Sequence, residues 1–405
     1  MPKRSAGPKR VALLLESQLS PRRRMLIGVA RYMHEHDPWA IYLKPGGVEK
    51  SLAKWLKEWD GDGIIAAVND PATEMVQDFG IPIVDIVGFM KERSTIPLVH
   101  TNDRSVGRLG AEHLLERGFR RFAFIEHPFF WSADRRAGFV ETVSAQGFET
   151  DLYSVPFPSQ VAGGPAAWEQ QQLALSEWVS SLPKPIGVMT STDLLGQQFL
   201  EACIRAKVNV PEQVAVIGAD NDEPICNISY PPLSSVIIND AQRGYEAAAL
   251  LDKLMAGKKA PPETTYVEPS GVVSRASTDI MAIADEMLVQ ALRIVRDRAC
   301  DGIGVDDVVR LVPLSRSVLE RRFRKLVGRS INNEIVRVKL NRAVQLLSET
   351  QLELKVVAHK AGFGSIAYMT AVFQKRLQST PGSYRRKQRA AQTLQAPLVA
   401  TSIRL

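Results

Sequence analysis

The 405-residue chain is short of cysteine, short of histidine and without a long apolar run. Each shortage removes a class of function. Its three cysteines, Cys203, Cys226 and Cys300, stand far apart with no metal-ligand spacing, and read as free thiols in a reducing cytoplasm. The six histidines (His34, His36, His100, His113, His127 and His359) are scattered, and no nucleophile–His–acid set forms around them. No G-x-x-x-x-G-K-S/T loop occurs, and no G-x-G-x-x-G follows the first apolar run. No catalytic residue, metal site or cofactor is therefore expected, which argues against a two-lobed sugar transferase. No stretch is long enough to span a membrane. After the basic start, the apolar stretch runs only from Val11 to Leu15 before Glu16, so no signal peptide is expected either.

What remains is a chain of ordinary globular composition, 45% hydrophobic and 23% charged, long enough for two or three domains. Its net charge of +7 is unevenly placed. Residues 281–390 carry 21 Lys/Arg against 10 Asp/Glu, and the remainder carries 30 against 34. A basic module is joined to a mildly acidic body. That is the electrostatic footprint of a nucleic-acid partner, although a solvated basic face has the same composition.

Residues 10–275 alternate short apolar runs (RVALLLE, GIIAAV, IPIVDIVG, RFAFIEH, PIGVMTS, VAVIGAD) with amphipathic stretches such as SVGRLGAEHLLERG and DLLGQQFLEACIRAK. Strands separated by helices of this length imply parallel sheets with helices on both faces. The number of units calls for two α/β lobes, with crossovers near 100–106 and 234–240. Ligands in such folds sit at the carboxyl ends of the strands, in the cleft between lobes. Residues 1–9 form a basic arm, 276–284 a connector, 285–389 an all-helical domain and 390–405 a loose tail. No low-complexity block is present, and no internal repeat other than the pair of motifs in the helical domain.

The first motif places Val305, Val308, Val309 and Val312 on one helical face, turns at PLS, and continues into SRSVLERRFRKLVG with Ser315 as the cap. The second helix buries Leu319, Phe323 and Leu326, and its opposite face shows Arg316, Ser317, Glu320, Arg321 and Arg324. A short helix, a tight turn and a helix with a basic outer face is the geometry that enters a major groove. The second motif, 352–386, repeats the plan. Gly362 breaks its first helix, and a helix from Ser365 buries Tyr368, Met369, Val372 and Phe373. Its outer face, Ile366, Ala367, Thr370, Ala371, Gln374 and Lys375, is far less polar. Between the two lies one helix of about 27 Å, near the spacing of consecutive major-groove segments.

SRSVLERRF, RVKLNRAVQLL and AGF-x-S-x-x-Y-x-x-x-F ending in TPGSYRR resemble the AraC-type DNA-binding domain. That resemblance implies base reading by Ser317, Glu320 and Arg321 in one helix, and by Ile366, Ala367, Thr370 and Ala371 in the other. TNDRSVGRLGAEHLLERGFRRFAFI, DRRAGF, STD and VAVIGADND resemble the LacI-type sensor, whose fold is that of periplasmic sugar-binding proteins. Such sensors normally follow an N-terminal helix-turn-helix, and with only nine residues before the first apolar run none is expected here. A LacI-like sensor fused to an AraC-like reader is the layout of bacterial xylose operon activators, which the chain resembles from Arg10 to about Arg386. The resemblance implies a homodimer on operator DNA, a small sugar such as D-xylose as the signal, and RNA polymerase as a further partner. A different sugar, or a protein signal, fits the same residues.

A sugar offers hydroxyls that donate and accept, so its site needs carboxylates, amides and an arginine over an aromatic face. The resemblance points to Arg135, Asp193 and Asp220, with Asn221 beside it. Asn69 and Asp70, after GIIAAV, reach in from the first lobe, and Phe130 or Trp131 is available for stacking. Helix caps and turns also use such residues, notably at Asp193 and Asn69. Of the two reading helices, the first carries the discriminating chemistry. Arg321 can donate two bonds to guanine and Glu320 can accept from cytosine, whereas Ile366, Ala367 and Ala371 offer only apolar contact. Replacing Arg321 with Ala should therefore relax base preference at one position and cost about 1–3 kcal/mol of operator affinity, read by footprinting. An unchanged footprint would overturn that assignment.

Overall fold

Val11 and Leu13 are buried toward one apolar cluster and Ala12 and Leu14 toward another, so the first strand is covered on both faces. That is the environment of a parallel sheet sandwiched between helices. A computed structural model describes residues 7–15, 20–44, 59–67, 80–88, 96–156, 164–280 and 285–386. The chain divides into two compact units, Met1–Ala282 and Ile283–Leu405.

The first unit holds two lobes. In lobe 1, β1 (Arg10–Leu14), β2 (Ala40–Lys44), β3 (Gly63–Ala66) and β4 (Ile83–Asp85) form a parallel sheet in the order β2-β1-β3-β4. In this lobe, too, β5 (Val99–Thr101) pairs in parallel with the much later β11 (Thr265–Val267). In lobe 2, β6 (Phe122–Glu126), β7 (Thr150–Ser154), β8 (Ile186–Thr190), β9 (Val214–Ala219), β10 (Ser234–Ile237) and β12 (Gly271–Val273) form one sheet. Its order is β12-β10-β9-β8-β6-β7, and only β12 runs antiparallel to its neighbour. The chain crosses between lobes after β5, after β10 and again between β11 and β12. The third crossing is not anticipated from the sequence, because β11 and β12 are three residues each and largely polar-flanked.

Each lobe is closed by a pair of helices packed at glycine. In lobe 1, α1 (Ser20–Glu35) lies against α7 (Asp240–Met255). A Cβ on Gly28 would fall 1.8 Å from the Ala241 carbonyl oxygen, and one on Gly244 would fall 2.0 Å from that of Met25. In lobe 2, α2 (Asp103–Glu116) lies against α3 (Phe130–Ser144). There Gly107 and Gly138 stand in the same relation to the carbonyls of Arg135 and Arg104, at 1.8 and 2.0 Å. Only glycine permits such backbone approach. The two crossover helices start alike, with Asn102 and Asn239 as caps accepting from the third following N–H, then Asp103 and Asp240, then glycine four residues on. This N-D-x-x-x-G repeat corrects the expectation that no repeat exists outside the helical domain. It escapes notice because only three of its six positions recur. The remaining helices of lobe 2 are α4 (Gly164–Ser181), α5 (Asp193–Arg205) and α6 (Glu223–Ile228).

The residues placed in a connector do not all behave as one. Ser277 and Thr278 are fully buried in the sensor, and their hydrogen bonds tie the segment to β9 and β10. Among the described residues, no helix is long and apolar enough to cross a membrane.

The second unit is helical: α8 (Glu286–Arg298), α9 (Val305–Leu311), α10 (Arg316–Val327), α11 (Ile331–Glu349), α12 (Leu354–Lys360) and α13 (Ile366–Leu377). Helices α9/α10 and α12/α13 are the two helix-turn-helix pairs, and α11 lies between them in sequence. In α10 the buried stripe is Leu319, Phe323 and Val327, each four residues apart, and Leu326 stays 45% exposed. The expectation of a buried Leu326 fails because the stripe follows the four-residue row until Gly328 ends the helix in the left-handed region. In α13, Met369, Val372 and Phe373 are buried, but Tyr368 is 47% exposed with its ring edge-on to Phe363.

Candidate ligand cleft and candidate DNA-reading helices

The loop after β9 is the most constrained part of the sensor. Asp220 and Asn221 both have positive φ, 108° and 46°, a conformation that L side chains adopt only under constraint. Three backbone N–H groups fix it: Asp220 donates to the Val236 carbonyl, Asn221 to the Ser235 hydroxyl at 3.0 Å, and Asp222 to Asp193 Oδ2 at 2.7 Å. Asp193 can approach only because residue 218 is glycine, since a Cβ there would lie 2.3 Å from its other carboxylate oxygen.

Two arginine–aspartate pairs converge on this loop, one from each lobe. From α3, the buried Arg135 donates Nε to Asp103 Oδ1 at 2.8 Å and Nη1 to Asp220 Oδ1 at 3.0 Å and to the Ser191 carbonyl. From α1, Arg24 donates to Asp240 Oδ2 at 2.8 Å and to the Asp220 backbone carbonyl at 2.7 Å, so it reaches from lobe 1 to lobe 2. Asp240 also accepts from Arg243 at 2.9 Å, and Arg243 donates to the Thr101 hydroxyl. The N-D-x-x-x-G repeat thus delivers Asp103 and Asp240 to equivalent arginines at the two sides of one cleft.

Electrostatics separates the carboxyls. Burial opposes ionisation of Asp103, but Arg135 and His100 outweigh it and hold its carboxyl below the usual range. Burial likewise opposes the charge on Arg135, and Asp220 and Asp103 reverse that and raise its pKa. Among the described residues, Asp193 makes no ion pair. Burial raises its carboxyl to about 8, and the Asp220 charge adds to the rise. At the carboxyl end of β8, Ser191 Oγ is buried without a hydrogen-bond partner among the described residues, and the Asp193 carboxyl is buried beside the Ser235 hydroxyl and the Cys226 thiol. The half-buried Trp131 lies with the Arg135 guanidinium 5.1 Å from its ring centre, and Phe130 packs beside His100. A fixed guanidinium, charged and protonated carboxyls, a hydroxyl and an indole are the chemical kinds of group that hydrogen-bond and pack against a small polyhydroxyl molecule.

Of the residues singled out from the sequence, Arg135, Asp193, Asp220 and Asn221 come together here. Asn69 and Asp70 lie outside the described residues. Asp193 is not the helix cap. Thr192 caps α5 by accepting from Leu195 N–H, and Asp193 binds the neighbouring loop instead. Sequence reasoning did not single out Arg24, His100, Asp103, Ser191, Asp240 or Arg243. The doubled N-D-x-x-x-G was the available signal for Asp103 and Asp240.

In the second unit, the outer face of α10 lines an open groove formed by Ser317, Glu320, Arg321, Arg324 and Lys325. Arg316 is held at 3.0 Å by Glu320 and at 2.6 Å by Asp306. Arg321 and Arg324 make no ion pair among the described residues. Ser315 occupies the cap position without accepting a backbone bond, in contrast to Ser365, which accepts from Tyr368 N–H at the start of α13. The outer face of α13 shows Ile366, Ala367, Ala371, Gln374 and Lys375 exposed and Thr370 half-buried. Arg385 is half-buried and donates to the Leu352 carbonyl, so it ties the end of the domain down.

Three family models tile the chain: "XylR N-terminal domain" over residues 10–103, "Periplasmic binding protein-like domain" over 111–278 and "Helix-turn-helix domain" over 308–387. The xylose operon regulatory protein of Escherichia coli K12 is 32% identical over 385 residues, covering 93% of this chain and 96% of that protein. Its counterpart in Haemophilus influenzae is also 32% identical, covering 93% and 98%. A solved structure described as the xylose-binding transcription activator XylR superposes with a TM-score of 0.79 at 30% identity, covering 94% of this chain and 99% of that one. The chain belongs to the xylose operon regulatory protein family. It is a transcription regulator with a periplasmic-binding-protein-like sensor and a helix-turn-helix DNA-binding domain, and its relatives are regulators rather than enzymes.

In this xylose-regulator family member, the raised Asp193 carboxyl has a consequence for stability. Its folded pKa of about 8 lies above the ordinary 3.8, so between those values the folded state keeps a proton that the unfolded chain releases. Stability contributed by that group is complete below the lower value and fades as pH climbs toward the upper. The melting temperature of Asp193→Asn should therefore rise relative to wild type from pH 4.5 to pH 8 (a window of about 3.5 units inside those limits). Melting curves that stay parallel across this range would contradict the assignment.

Proposed function

We propose that this protein is a D-xylose-responsive activator of xylose-use genes, acting in the cytoplasm as a homodimer. The observation that carries the reading is the convergence of Arg135–Asp103 and Arg24–Asp240 on the strained Asp220–Asn221 loop. A sugar hydroxyl that accepts from Arg135 and donates to Asp220 or Ser191 gains two directional bonds at once. Trp131 provides an apolar face for the ring's C–H side. Its kinship with xylose operon regulatory proteins supports xylose as the sugar.

In this account the sugar favours one arrangement of the two lobes, and the gain is limited by its differential affinity for the two arrangements. The response reaches the operator through the basic helix-turn-helix pairs. Arg321, Glu320, Ser317 and Arg324 discriminate bases from α10. Ile366, Ala367, Thr370 and Ala371 contact methyl groups and backbone from α13, and Arg316, Ser365, Gln374 and Lys375 fix register. A protomer on each half-site places a surface near RNA polymerase, the expected partner for activation.

A thermal-shift panel of free pentoses and hexoses tests the sugar assignment. At about 100 times its dissociation constant, D-xylose should stabilise the sensor by about 2.7 kcal/mol and raise its melting temperature, with smaller effects from hexoses. A larger shift with another sugar would reassign the signal, and no shift with any sugar would sink the sensor proposal.

A further inference from the structure

The Asp220–Asn221 turn is gripped from behind as well as from the cleft. Arg275, three strands away in sequence, donates Nη2 to the side-chain oxygen of Asn221 at 2.9 Å and Nη1 to the Leu233 carbonyl at 2.9 Å. Its own backbone N–H donates to the Ser234 hydroxyl at 2.7 Å. From there the bonds continue without a gap. Ser234 Oγ lies 2.6 Å from Thr278 Oγ1, which lies 2.8 Å from His113 Nε2 on α2. Arg117 donates to the Thr278 carbonyl at 2.7 Å and to the Ser274 hydroxyl at 2.9 Å. Ser277 donates its hydroxyl to the Val216 carbonyl of β9 and accepts from Ser234 N–H. Burial, with Arg117 beside it, lowers His113 to about 3, so this ring stays neutral and the chain of bonds does not change with physiological pH.

We propose that Arg275 is a positioning residue for the sugar response, linking the Asp220–Asn221 turn to Ser274–Ile280, the last described segment of the sensor before the DNA-binding unit. The proposal rests on the sugar occupying the cleft described above, and adds how its arrival is passed on. The turn is the strained element, with two successive positive φ values, and its side-chain oxygen is bonded to Arg275. Ser234, Ser277 and Thr278 are fully buried in close-packed surroundings. A displacement of the turn therefore moves the 274–280 segment rather than being absorbed by slack side chains. That segment continues directly into the chain that enters the second unit at Ile283.

The test uses the full-length protein, D-xylose and a DNA duplex selected in vitro by the wild type. Operator affinity is measured with and without sugar, and sugar affinity by calorimetry. For the wild type the ratio of operator affinities should lie in the range of about 5–150-fold typical of coupled sites. Arg275→Met should keep sugar affinity close to wild type and bring that ratio close to one. By reciprocity, operator DNA should then cease to alter its sugar affinity. Arg275→Gln, too short to reach Asn221 and the Leu233 carbonyl together, keeps a polar side chain at the site, should bring the ratio close to one in the same way and decides the matter if Arg275→Met does not fold. A variant that binds sugar and keeps the full ratio would overturn the role of Arg275 while leaving the functional reading intact. A proportional loss of sugar affinity and ratio would make Arg275 an ordinary binding-site residue. A wild type that binds no sugar would remove the functional reading itself.

Discussion

The sensor depends on one buried cation. Arg135 carries its guanidinium into a desolvated site, and the fold satisfies it with Asp103, Asp220 and the Ser191 carbonyl. An unpaired charge in such a place costs several kcal/mol, and stripping one partner from a buried pair typically costs about 3–5 kcal/mol. The pairing therefore holds four elements in register: the start of α2, the first turns of α3, the end of β8 and the loop after β9. Next to that centre, Asp193 and Ser191 are buried, and among the described residues Ser191 Oγ has no hydrogen-bond partner. The residues proposed to read the sugar are thus the ones that hold this centre together, and on that reading the site is preorganised before any ligand contributes a bond.

Lobe 1 reaches the same loop by the same device. Asp240 and Arg24 repeat the geometry of Asp103 and Arg135, and each pair is seated where two helices touch through glycine. Close helix contact brings the aspartate at the start of one helix to the arginine of the other. The glycines at 28, 107, 138 and 244 are thus part of the site, although none approaches the cleft through a side chain.

Most of the architecture could be read from the chain because it is locally encoded. Apolar runs such as RVALL and VAVIGA carry the pattern of a buried strand within a few residues, and α2, α5, α10 and α13 carry clear amphipathic stripes. What escaped was encoded by pairing at a distance. Strands β5, β11 and β12 are too short to show a pattern, and they exist because each finds a partner across a lobe crossing. Arg135 and Asp220 were recognisable as chemistry-bearing, but their partner Asp103 looked like an ordinary residue at a helix start. Arg24 sits in a run of three arginines whose surface role is the simpler reading. In the DNA-binding unit the helical period placed Leu319 and Phe323 correctly and failed at Leu326, where a three- or four-residue step both fit the pattern. The unequal chemistry of α10 and α13 was open to view, since outer-face composition needs no tertiary contact to be recognised.

The most direct measurement of the central claim is a double-mutant cycle on Arg135→Met and Asp220→Asn. All six tryptophans precede residue 180, so fluorescence-detected unfolding reports the sensor alone. If the Arg135 centre organises the fold as described, each single change is strongly destabilising. The double change should then be less damaging than their sum, with a coupling of about 0.5–3 kcal/mol. Strict additivity, or a single Arg135→Met variant as stable as the wild type, would contradict the account.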